Sequence, residues 1–351
     1  MKTSFLNSQL IIALLLLVPA LNLSGQTGAK SISAKKEFIV GQDVRLNIET
    51  SFGKVHCDVW DKNLMTIDVM VSVEAKNDKE AERLLKQIEP VITGNSSVVD
   101  INTKIGNTGS SGKSTSFSID YTIHMPRSTT ISLVNRFGDV YIDESTGPVR
   151  INLEYGNLTI NRLANPASDV TLKFSTGTIN EAGNLKLNLE YSTLNFKKGA
   201  DISSRSRFST LDLGDLSNLW LNSEYDTYTV EKANSLTGSG KFSSLNLDEI
   251  LQRIDMEVEY GGLDVEAIGN AFSRINLIAS FNNISLGIPA SASYTLQADM
   301  NFGECSFPKG SSIKVTEKSH TAKLFSGSVG PASNPSAKVT IRGDNCDVTL
   351  Y

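Results

Sequence analysis

The sequence predicts an all-β fold, a single-stranded parallel β-helix or β-solenoid, from three observations. A phrase of charged, aromatic, small, polar and apolar residues recurs about every 17 to 21 residues from Arg136 onward. Apolar and polar residues alternate within each phrase, as in strands with one buried face. The charged residue changes sign from one copy to the next. A repeat of this length needs its neighbours to bury its apolar side, so the copies should stack as coils.

Eight strong copies and several weaker ones define the repeat. The strong copies are Arg136-Phe137-Gly138, Glu154-Tyr155-Gly156, Lys173-Phe174-Ser175, Glu190-Tyr191-Ser192, Arg207-Phe208-Ser209, Glu224-Tyr225-Asp226, Lys241-Phe242-Ser243 and Glu259-Tyr260-Gly261. The weaker copies are Ser280-Phe281-Asn282 and Asn301-Phe302-Gly303, and Ser51-Phe52-Gly53 stands upstream. The repeat therefore accounts for most of the chain.

The charged position predicts how the copies stack. Over the strong copies its sign alternates while the aromatic alternates between Phe and Tyr. If one phrase forms one coil, equivalent residues lie about 4.8 Å apart and each charge meets opposite charges on both sides. Two phrases per coil would stack like charges, which is destabilising. The pattern therefore predicts one phrase per coil, with a ladder of exposed ion pairs that mainly sets the register.

The apolar positions predict a corner beside the aromatic. Apolar residues stand six residues before most aromatics, as at Val149 and Leu219, and three and five residues after them, as at Leu158 and Ile160. The period of two therefore shifts by one residue across the Gly or Ser that follows the aromatic. Such a shift indicates a tight corner, and a small residue suits the backbone there. Each coil is predicted to contain two short strands.

The first residues predict export. Residues 1–25 contain Lys2, an apolar core from Leu10 to Val18 and small residues suited to cleavage, which are the features of a signal peptide. The core is too short for a spanning helix, and no later apolar run of about 20 residues exists, so no membrane span is predicted. The protein is therefore expected in the periplasm, on the outer surface or secreted.

Two further regions are predicted. Residues 26–135 should form the N-terminal coils, interrupted by a one-sided helix over 78–89 and by a flexible loop over 107–118 that is rich in Gly and Ser. Residues 136–351 should form the regular coils. They should end in a pair of strands from Lys338 onward.

Composition and the scattered histidines exclude several function classes. The chain has 351 residues, of which 40% are hydrophobic and 20% charged, as expected of a folded protein with a substantial core. Its net charge of -5 gives no reason to expect a nucleic-acid partner. His56, His124 and His320 are scattered without a second ligand at metal-site spacing. Neither a metal nor a cofactor is therefore predicted.

The three cysteines are expected to be buried free thiols. Cys57, Cys305 and Cys346 all occupy apolar positions of the pattern. A bridge between Cys305 and Cys346 stays open as an alternative. A coil expected around Phe325 to Val329 would lie between them and hold them too far apart to bond.

Several of these features together resemble a known bacterial family. They are the Phe52-Gly53 strand pair, the single helix, the segment Ile123-His124-Met125-Pro126 and the Gly-containing strand repeats, and they extend over roughly residues 38–351. The chain resembles the exported putative adhesins, whose repeats are similar in style to autotransporter head domains. The resemblance implies a right-handed parallel β-helix in the bacterial cell envelope, with no established reaction and no catalytic residues.

A catalytic pair of carboxylates would be expected on one outward face, such as the column four residues past the aromatic. Over the strong copies it contains two carboxylates, Asp212 and Asp264, which stand three coils, about 14 Å, apart. That is too far for a paired acid and base. The chain is therefore predicted to be a non-enzymatic adhesin-like binding or scaffold module. The alternatives are a carbohydrate-active β-helix enzyme and a periplasmic partner of an envelope signalling system.

The candidate ligand contacts lie on one predicted sheet face. Trp220 stands five residues before Tyr225 in an otherwise polar outward column, and Asn188, Arg205 and Asn222 line the adjacent column. An exposed Trp among polar side chains can stack on a sugar or anchor a protein. The other interpretation is that it packs against a loop or the helix. An envelope glycan or a surface protein is the partner expected at this face.

Overall fold

The computed structural model describes residues 28–107 and 115–351, and it divides into two compact units, Met1–Ala164 and Asn165–Tyr351. The predicted signal peptide lies outside the described residues. The predicted boundary at residue 136 stays a prediction. The described residues are mostly strand, as the all-β prediction requires.

The first unit consists of strands and a helix. Its elements are β1 (Gly28–Ile39), β2 (Arg45–Ser51), β3 (Val55–Trp60), β4 (Leu64–Ala75), α1 (Asp78–Leu85), β5 (Ile88–Gly94), β6 (Val98–Ile105), β7 (Ser116–Pro126), β8 (Thr130–Arg136), β9 (Val140–Ser145), β10 (Val149–Glu154) and β11 (Asn157–Leu163). The inward Val, Ile and Leu residues of these strands are buried.

Parallel coils and an antiparallel excursion make up the first unit. β2 pairs in parallel with β8, and β3 with β9, so that Ser51 is the register partner of Arg136. β10 and β11 add the next coil on β8 and β9. Between the phrases at Phe52 and Phe137, β4 runs antiparallel to both β1 and β7. The upstream phrase therefore stacks directly beside the first strong copy, and the intervening chain forms separate strands.

The helix predicted over 78–89 is present but shorter. Its start is capped by the side chain of Asn77, which accepts a backbone N–H hydrogen bond. It ends at Leu85, because the chain returns to an extended conformation and Ile88 begins β5. Pro90, which the sequence predicts as the residue that stops the helix, lies inside that strand instead.

The loop predicted over 107–118 falls mostly on residues 108–114, which lie outside the described residues. Its last part is a strand instead, because β7 begins at Ser116, where it pairs with Glu74 of β4.

The second unit continues the repeat. Its elements are β12 (Ser168–Lys173), β13 (Thr176–Ala182), β14 (Leu185–Glu190), β15 (Thr193–Arg207), β16 (Thr210–Glu224), β17 (Thr227–Lys241), β18 (Ser244–Glu259), β19 (Gly262–Ile268), β20 (Arg274–Ser280), β21 (Asn283–Leu286), β22 (Tyr294–Asn301), β23 (Cys305–Ser306), β24 (Ser312–Glu317), β25 (Ala322–Val329), β26 (Ala337–Asp344) and β27 (Asp347–Leu350). The strands β15 to β18 each run through both faces of one coil, since the two halves of β15 pair with β13 and β14.

Successive phrases stack in parallel register, as predicted. Equivalent residues of neighbouring coils are register partners, for example Thr193 with Thr210 and Thr210 with Thr227. One phrase therefore corresponds to one coil, in an arrangement consistent with a β-solenoid. The inward apolar residues of both strands of each coil form the core.

The alternating charges stack as the sequence predicts. In the second unit the register partners run in the order Lys173, Glu190, Arg207, Glu224, Lys241 and Glu259. Glu190 lies 2.9 Å from Arg207 and 3.9 Å from Lys173, and Lys241 lies 3.0 Å from Glu259. Exposed pairs of this kind contribute between about 0 and 1 kcal/mol each, so the ladder mainly favours one register.

Replacing Glu190 with lysine should lower the midpoint of thermal unfolding more than replacing it with glutamine. A lysine would face the like charges of Lys173 and Arg207, whereas a glutamine only removes the attraction. Thermal unfolding followed by circular dichroism measures the difference. Equal midpoints for the two variants would contradict an energetic role for the ladder.

The corner residue of each coil is the aromatic, which differs from the sequence prediction. The aromatics of the phrase have φ between 49° and 61°, the left-handed region, and expose 38% to 60% of their area; they are Phe52, Phe137, Tyr155, Phe174, Tyr191, Phe208, Tyr225, Phe242, Tyr260, Phe281 and Phe302. The serine that follows in several copies, such as Ser209, is buried, whereas the glycine of other copies, such as Gly156, is half-buried. The phase shift was predicted at the right place, but the left-handed turn that causes it was assigned to the wrong residue.

Stacking of the aromatics offsets this backbone strain. Left-handed φ costs an L-residue with a side chain roughly 1–2 kcal/mol. The stacked rings from Phe174 to Phe281 lie nearly parallel to one another, as with Tyr225, whose centroid is 5.0 Å from that of Phe208 and 4.7 Å from that of Phe242. A stacked pair contributes about 0.5–1.5 kcal/mol. Because each pair is shared by two rings, stacking regains about 0.5–1.5 kcal/mol per ring, which offsets much of the cost of the backbone conformation.

The last strands of the chain insert between two earlier coils. β26 pairs in parallel with β20 on one side and with β22 on the other, and β27 pairs likewise with β21 and β23. The predicted final pair of strands is thus confirmed. At its corner Asn345 has φ 51° and lies between the corners of Phe281 and Phe302. Asparagine adopts this region more readily than other residues with a side chain.

The cysteines are free and buried, as predicted, but the reason given for Cys305 and Cys346 is wrong. Phe325 lies in β25, which runs antiparallel to β22 and does not form an intervening coil. Cys305 instead pairs with Val348, so the two cysteines lie on neighbouring coils. Burial raises the pKa of Cys305 to about 12 and that of Cys346 to about 11, so both are protonated thiols at neutral pH.

Candidate functional site

The residues predicted to contact a ligand lie together on one outward face of the second unit. Asn188 is the register partner of Arg205, and Arg205 that of Asn222, on β14, β15 and β16. Each side chain points outward because the residues beside it in the strand, such as Leu189 and Leu221, occupy the buried positions. The alternation of the strands therefore places the three side chains in one column.

This column forms the floor of a shallow groove. The groove has a volume of about 250 Å³ and its polar lining consists of Thr171, Lys173, Asn188, Glu190, Arg205, Ser206, Arg207, Asn222 and Glu224. A second groove of about 370 Å³ shares Asn222 and Glu224 and continues past Ser239 to Glu257 and Glu259. Together they follow the stacking direction over several coils.

The ion ladder forms one wall of the groove. The hydrogen bond that Arg207 donates to Glu190 raises the pKa of Arg207, and the one that Lys241 donates to Glu259 raises the pKa of Lys241, so both cations keep their charge at neutral pH. The wall therefore presents alternating positive and negative groups to a ligand rather than a surface of one sign. Such a wall favours a polar ligand with both donors and acceptors.

Trp220 stands beside the groove and is exposed. It is two residues before Asn222 on β16, and 36% of its area is accessible. The Arg205 guanidinium lies 5.7 Å from its ring centroid, within the range of a cation–π interaction. Trp220 thus has a polar neighbour on the adjacent coil, and its role as a ligand contact stays a prediction.

A buried polar cluster beneath this face was not predicted. Asp226 is 4% exposed and accepts hydrogen bonds from Ser206 Oγ at 2.7 Å, Ser223 Oγ at 2.8 Å and the Ser209 backbone N–H at 2.7 Å. Tyr228, fully buried, hydrogen-bonds Ser206 at 2.6 Å. Burial raises the pKa of Asp226. The signal was present in the sequence, since Asp226 is the charged member of a column otherwise made of Gly and Ser in the strong copies.

The enzyme alternative depends on two outward carboxylates. Asp212 pairs with Thr229, Thr229 with Asn246, and Asn246 with Asp264. The two carboxylates are therefore three coils apart, as predicted, and do not form an acid–base pair with each other.

Comparison with known proteins gives no assignment. A scan of protein-family models and a search of curated proteins each found no match. In the part of the chain that the structure describes, no helix combines the length and apolarity needed to cross a membrane.

Solved structures with weak similarity were found, among them three with names that mention adhesion. A putative adhesin from Parabacteroides distasonis is 11% identical, covers 90% of this chain and 96% of its own, and has a TM-score of 0.32. A putative cell adhesion protein from Clostridium sporogenes is 11% identical over 91% and 98%, with a TM-score of 0.20. A putative adhesin from Bacteroides fragilis is 10% identical over 91% and 97%, with a TM-score of 0.22. These scores are too low to support a common fold or function.

Proposed function

We propose that the chain is an exported, non-enzymatic binding or scaffold module of the bacterial cell envelope, adhesin-like in role and built as a right-handed parallel β-helix. Its ligand face is the groove of Asn188, Arg205 and Asn222 with Trp220 beside it. The observation that supports the proposal is that Asn188, Arg205 and Asn222 line one outward groove and that Trp220 lies beside it, two residues before Asn222 on the same strand.

The chemistry of this face suits an envelope glycan. The amides of Asn188 and Asn222 each offer both donors and acceptors, and the guanidinium of Arg205 offers several donors. Trp220 adds an exposed ring of the kind that anchors ligands at polar surfaces. The groove is shallow and follows the coils, so it fits an extended chain better than a compact molecule. The same polar groups also suit a surface protein with an extended polar segment, which is the second candidate partner.

Export is proposed from the features of residues 1–25. The site of action is then the periplasm, the outer surface or the medium. The groove, with its alternating charges and exposed Trp, favours binding over the alternatives of a carbohydrate-active enzyme or a periplasmic signalling partner.

Replacing Trp220 with alanine should weaken glycan binding by at least about tenfold, because an aromatic anchor of a binding site is usually worth that much or more. The purified chain and the variant are tested on an array of defined envelope glycans, and any hit is titrated to saturation. Tyr351→Ala is the matched control, since Tyr351 is also an exposed aromatic of the second unit at 54% and lies outside the groove. It should bind like the wild type.

The possible outcomes distinguish an error in the proposed binding site from an error in the proposed function. Saturable glycan binding that Trp220→Ala loses, with an unchanged unfolding midpoint, supports the proposal. Binding that both variants retain moves the site away from the groove. No saturable binding by the wild type contradicts a glycan ligand and favours a protein partner or a scaffold role.

A further inference from the structure

A strip of exposed aromatic rings follows the corners of the second unit. This aromatic strip consists of Phe174, Tyr191, Phe208, Tyr225, Phe242 and Tyr260. Each ring stacks on the next, with centroids between 4.7 Å and 5.0 Å apart and planes within 9° of parallel. In the described part of the chain each residue still keeps between 38% and 47% of its area accessible. Stacking therefore covers the faces of the rings and leaves their edges exposed.

The strip is as large as the apolar patches that mark interaction sites. If a fully exposed aromatic side chain has about 200 Å², the strip presents on the order of 500 Å² of apolar surface. The largest apolar patch on a typical monomer is roughly 300–600 Å² and is often functional. A standard protein interface takes about 800 Å² from each partner, which the strip reaches together with the polar rows beside it.

A different polar row flanks the strip on each side. The ion ladder precedes the rings by one residue, and the Arg207 guanidinium lies 5.7 Å from the centroid of the Phe208 ring. A row of exposed hydroxyl residues follows the rings by two residues; it contains Thr176, Thr193, Thr210, Thr227 and Ser244. Each coil passes from the charged residue through the ring to the hydroxyl. The charged row and the neutral row therefore lie on opposite sides of the strip.

The order of the charges makes this surface complementary to itself. A two-fold axis perpendicular to the stacking direction turns a second copy antiparallel, so that ladder faces ladder and hydroxyl row faces hydroxyl row. If the axis lies between Arg207 and Glu224, which are register partners, Arg207 of each copy faces Glu224 of the other. The remaining ladder residues then also face opposite charges, in the pairs Glu190 with Lys241 and Lys173 with Glu259.

Other ways of joining two strips lack this match. An axis that passes through one charged residue of the ladder would set like charges opposite each other along its whole length. A parallel second copy would bring the ladder of one chain against the neutral hydroxyl row of the other. The alternation of charge therefore favours one antiparallel register, in which Phe208 also faces Tyr225.

We propose that two copies of the chain form an antiparallel dimer through the aromatic strip, with the two-fold axis between Arg207 and Glu224. Burial of the ring edges drives the association, because it removes apolar area from water. The alternating charges determine the register and exclude other partners. The dimer does not depend on the proposed glycan binding, since association is measured without a glycan and either proposal can fail alone.

Sedimentation equilibrium of the purified chain tests the dimer. We expect the wild type to show a reversible monomer–dimer equilibrium. Arg207→Glu and Glu224→Arg should each raise the dissociation constant at least about tenfold, because each sets like charges opposite each other at both contacts around the axis. An equimolar mixture of the two variants should recover nearly the wild-type affinity, since two glutamates of one chain then face two arginines of the other.

Lys232→Glu is the matched control. Lys232 is the register partner of Asp215 and Glu249 and lies seven residues past Tyr225, away from the strip. The change creates the same kind of like-charge contact within the chain as Arg207→Glu does. Its dimer should nevertheless be as tight as that of the wild type, because nothing changes at the proposed interface.

The wild type also offers a measurement that needs no variant. Its dissociation constant should rise with the concentration of sodium chloride, because salt screens the exposed charges that face each other. A dissociation constant that falls as salt is added would overturn the charge match. Circular dichroism confirms that each variant is folded at the temperature of the measurement.

Four further results would overturn the dimer. The first two are a wild type that stays monomeric at every concentration and a dissociation constant that neither charge reversal changes. The third is a mixture of the two variants that associates no better than either alone. The fourth is an equal loss in Lys232→Glu, which would mean that weakened coils rather than facing charges cause the loss.

Discussion

Replacing Gly261 with alanine should lower the free energy of unfolding by about 3 kcal/mol or more, whereas the same change at the adjacent Gly262 should be close to neutral. A Cβ on Gly261 would stand 2.1 Å from the carbonyl oxygen of Ser243 on the neighbouring coil. That atom belongs to the corner between β17 and β18 and accepts a hydrogen bond from the Gly262 backbone N–H, so relief requires separating two coils. A Cβ on Gly262 would meet its nearest atom, the Asn283 carbonyl oxygen, at 3.7 Å.

The pair is a matched test because the two positions are consecutive. Both columns hold side chains in other coils, as at Ser244 for Gly262 and at Ser243 for Gly261, so the expected difference depends on the close backbone approach at Gly261 alone. Alanine at Gly262 can even add about 0.4–1 kcal/mol by restricting the unfolded chain. Denaturant unfolding of both variants measures the difference. Equal stabilities would show that the coils can separate at little cost, against the close packing described above.

The sequence was sufficient to predict the stacking of the coils because that stacking depends on local, repeated features. The sign alternation around Glu190 and Arg207 is compatible with one register only, and the structure has that register. Alternation of apolar residues likewise predicted which side chains of each strand are buried. These are properties of neighbouring phrases, and each phrase carries the same information.

The corner conformation could not be predicted from the same pattern. An aromatic with positive φ is unfavourable for an isolated residue, and Gly or Ser beside it is the usual choice for a turn. Stacking of rings on neighbouring coils, as between Tyr191 and Phe208 at 4.8 Å, stabilises the left-handed aromatic in most coils. Asn345 is consistent with this explanation, because the phrase whose corner lacks an aromatic uses asparagine there.

Contacts between segments that are far apart in the sequence could not be predicted either. The insertion of β26 between β20 and β22 leaves no periodic trace in the sequence. The same holds for Asp58 and His124, which a long antiparallel excursion separates in sequence and the sheet register brings together. In contrast, Asn188, Arg205 and Asn222 are one repeat apart, so the sequence could place them in one column.

Replacing Asp226 with serine should stabilise the chain by about 1 kcal/mol at neutral pH, whereas alanine should destabilise it by about 1–3 kcal/mol. Burial of the carboxylate raises its pKa in the folded state, in spite of the hydrogen bonds that it accepts. Serine is the residue that Ser192, Ser209 and Ser243 supply in the same column, where each hydroxyl donates to the backbone carbonyl two residues earlier. Alanine would leave the Ser209 backbone N–H without its acceptor.

The pH dependence follows from the direction of the shift. A carboxyl whose pKa is higher in the folded state than in the unfolded chain binds protons more tightly when folded, so its stabilising contribution is complete below about pH 4 and is lost as the pH rises through the folded-state pKa. The advantage of Asp226→Ser over the wild type should therefore be largest at neutral pH and shrink as the pH falls toward 4. Denaturant unfolding of the wild type and of Asp226→Ser from neutral pH down to about pH 4 measures the difference in their free energies of unfolding. The contributions of the other titrating groups are largely the same in both chains and cancel.

The same comparison distinguishes the buried charge from the hydrogen bonds it makes. If the four hydrogen bonds to Asp226 outweighed burial, its carboxylate would be stabilising, and the serine variant would be less stable at neutral pH and relatively better in acid. If the stability of Asp226→Ser relative to the wild type rises as the pH falls, the raised pKa of Asp226 is therefore contradicted. A difference that is constant with pH would mean that the carboxyl has the same pKa in the folded and the unfolded chain.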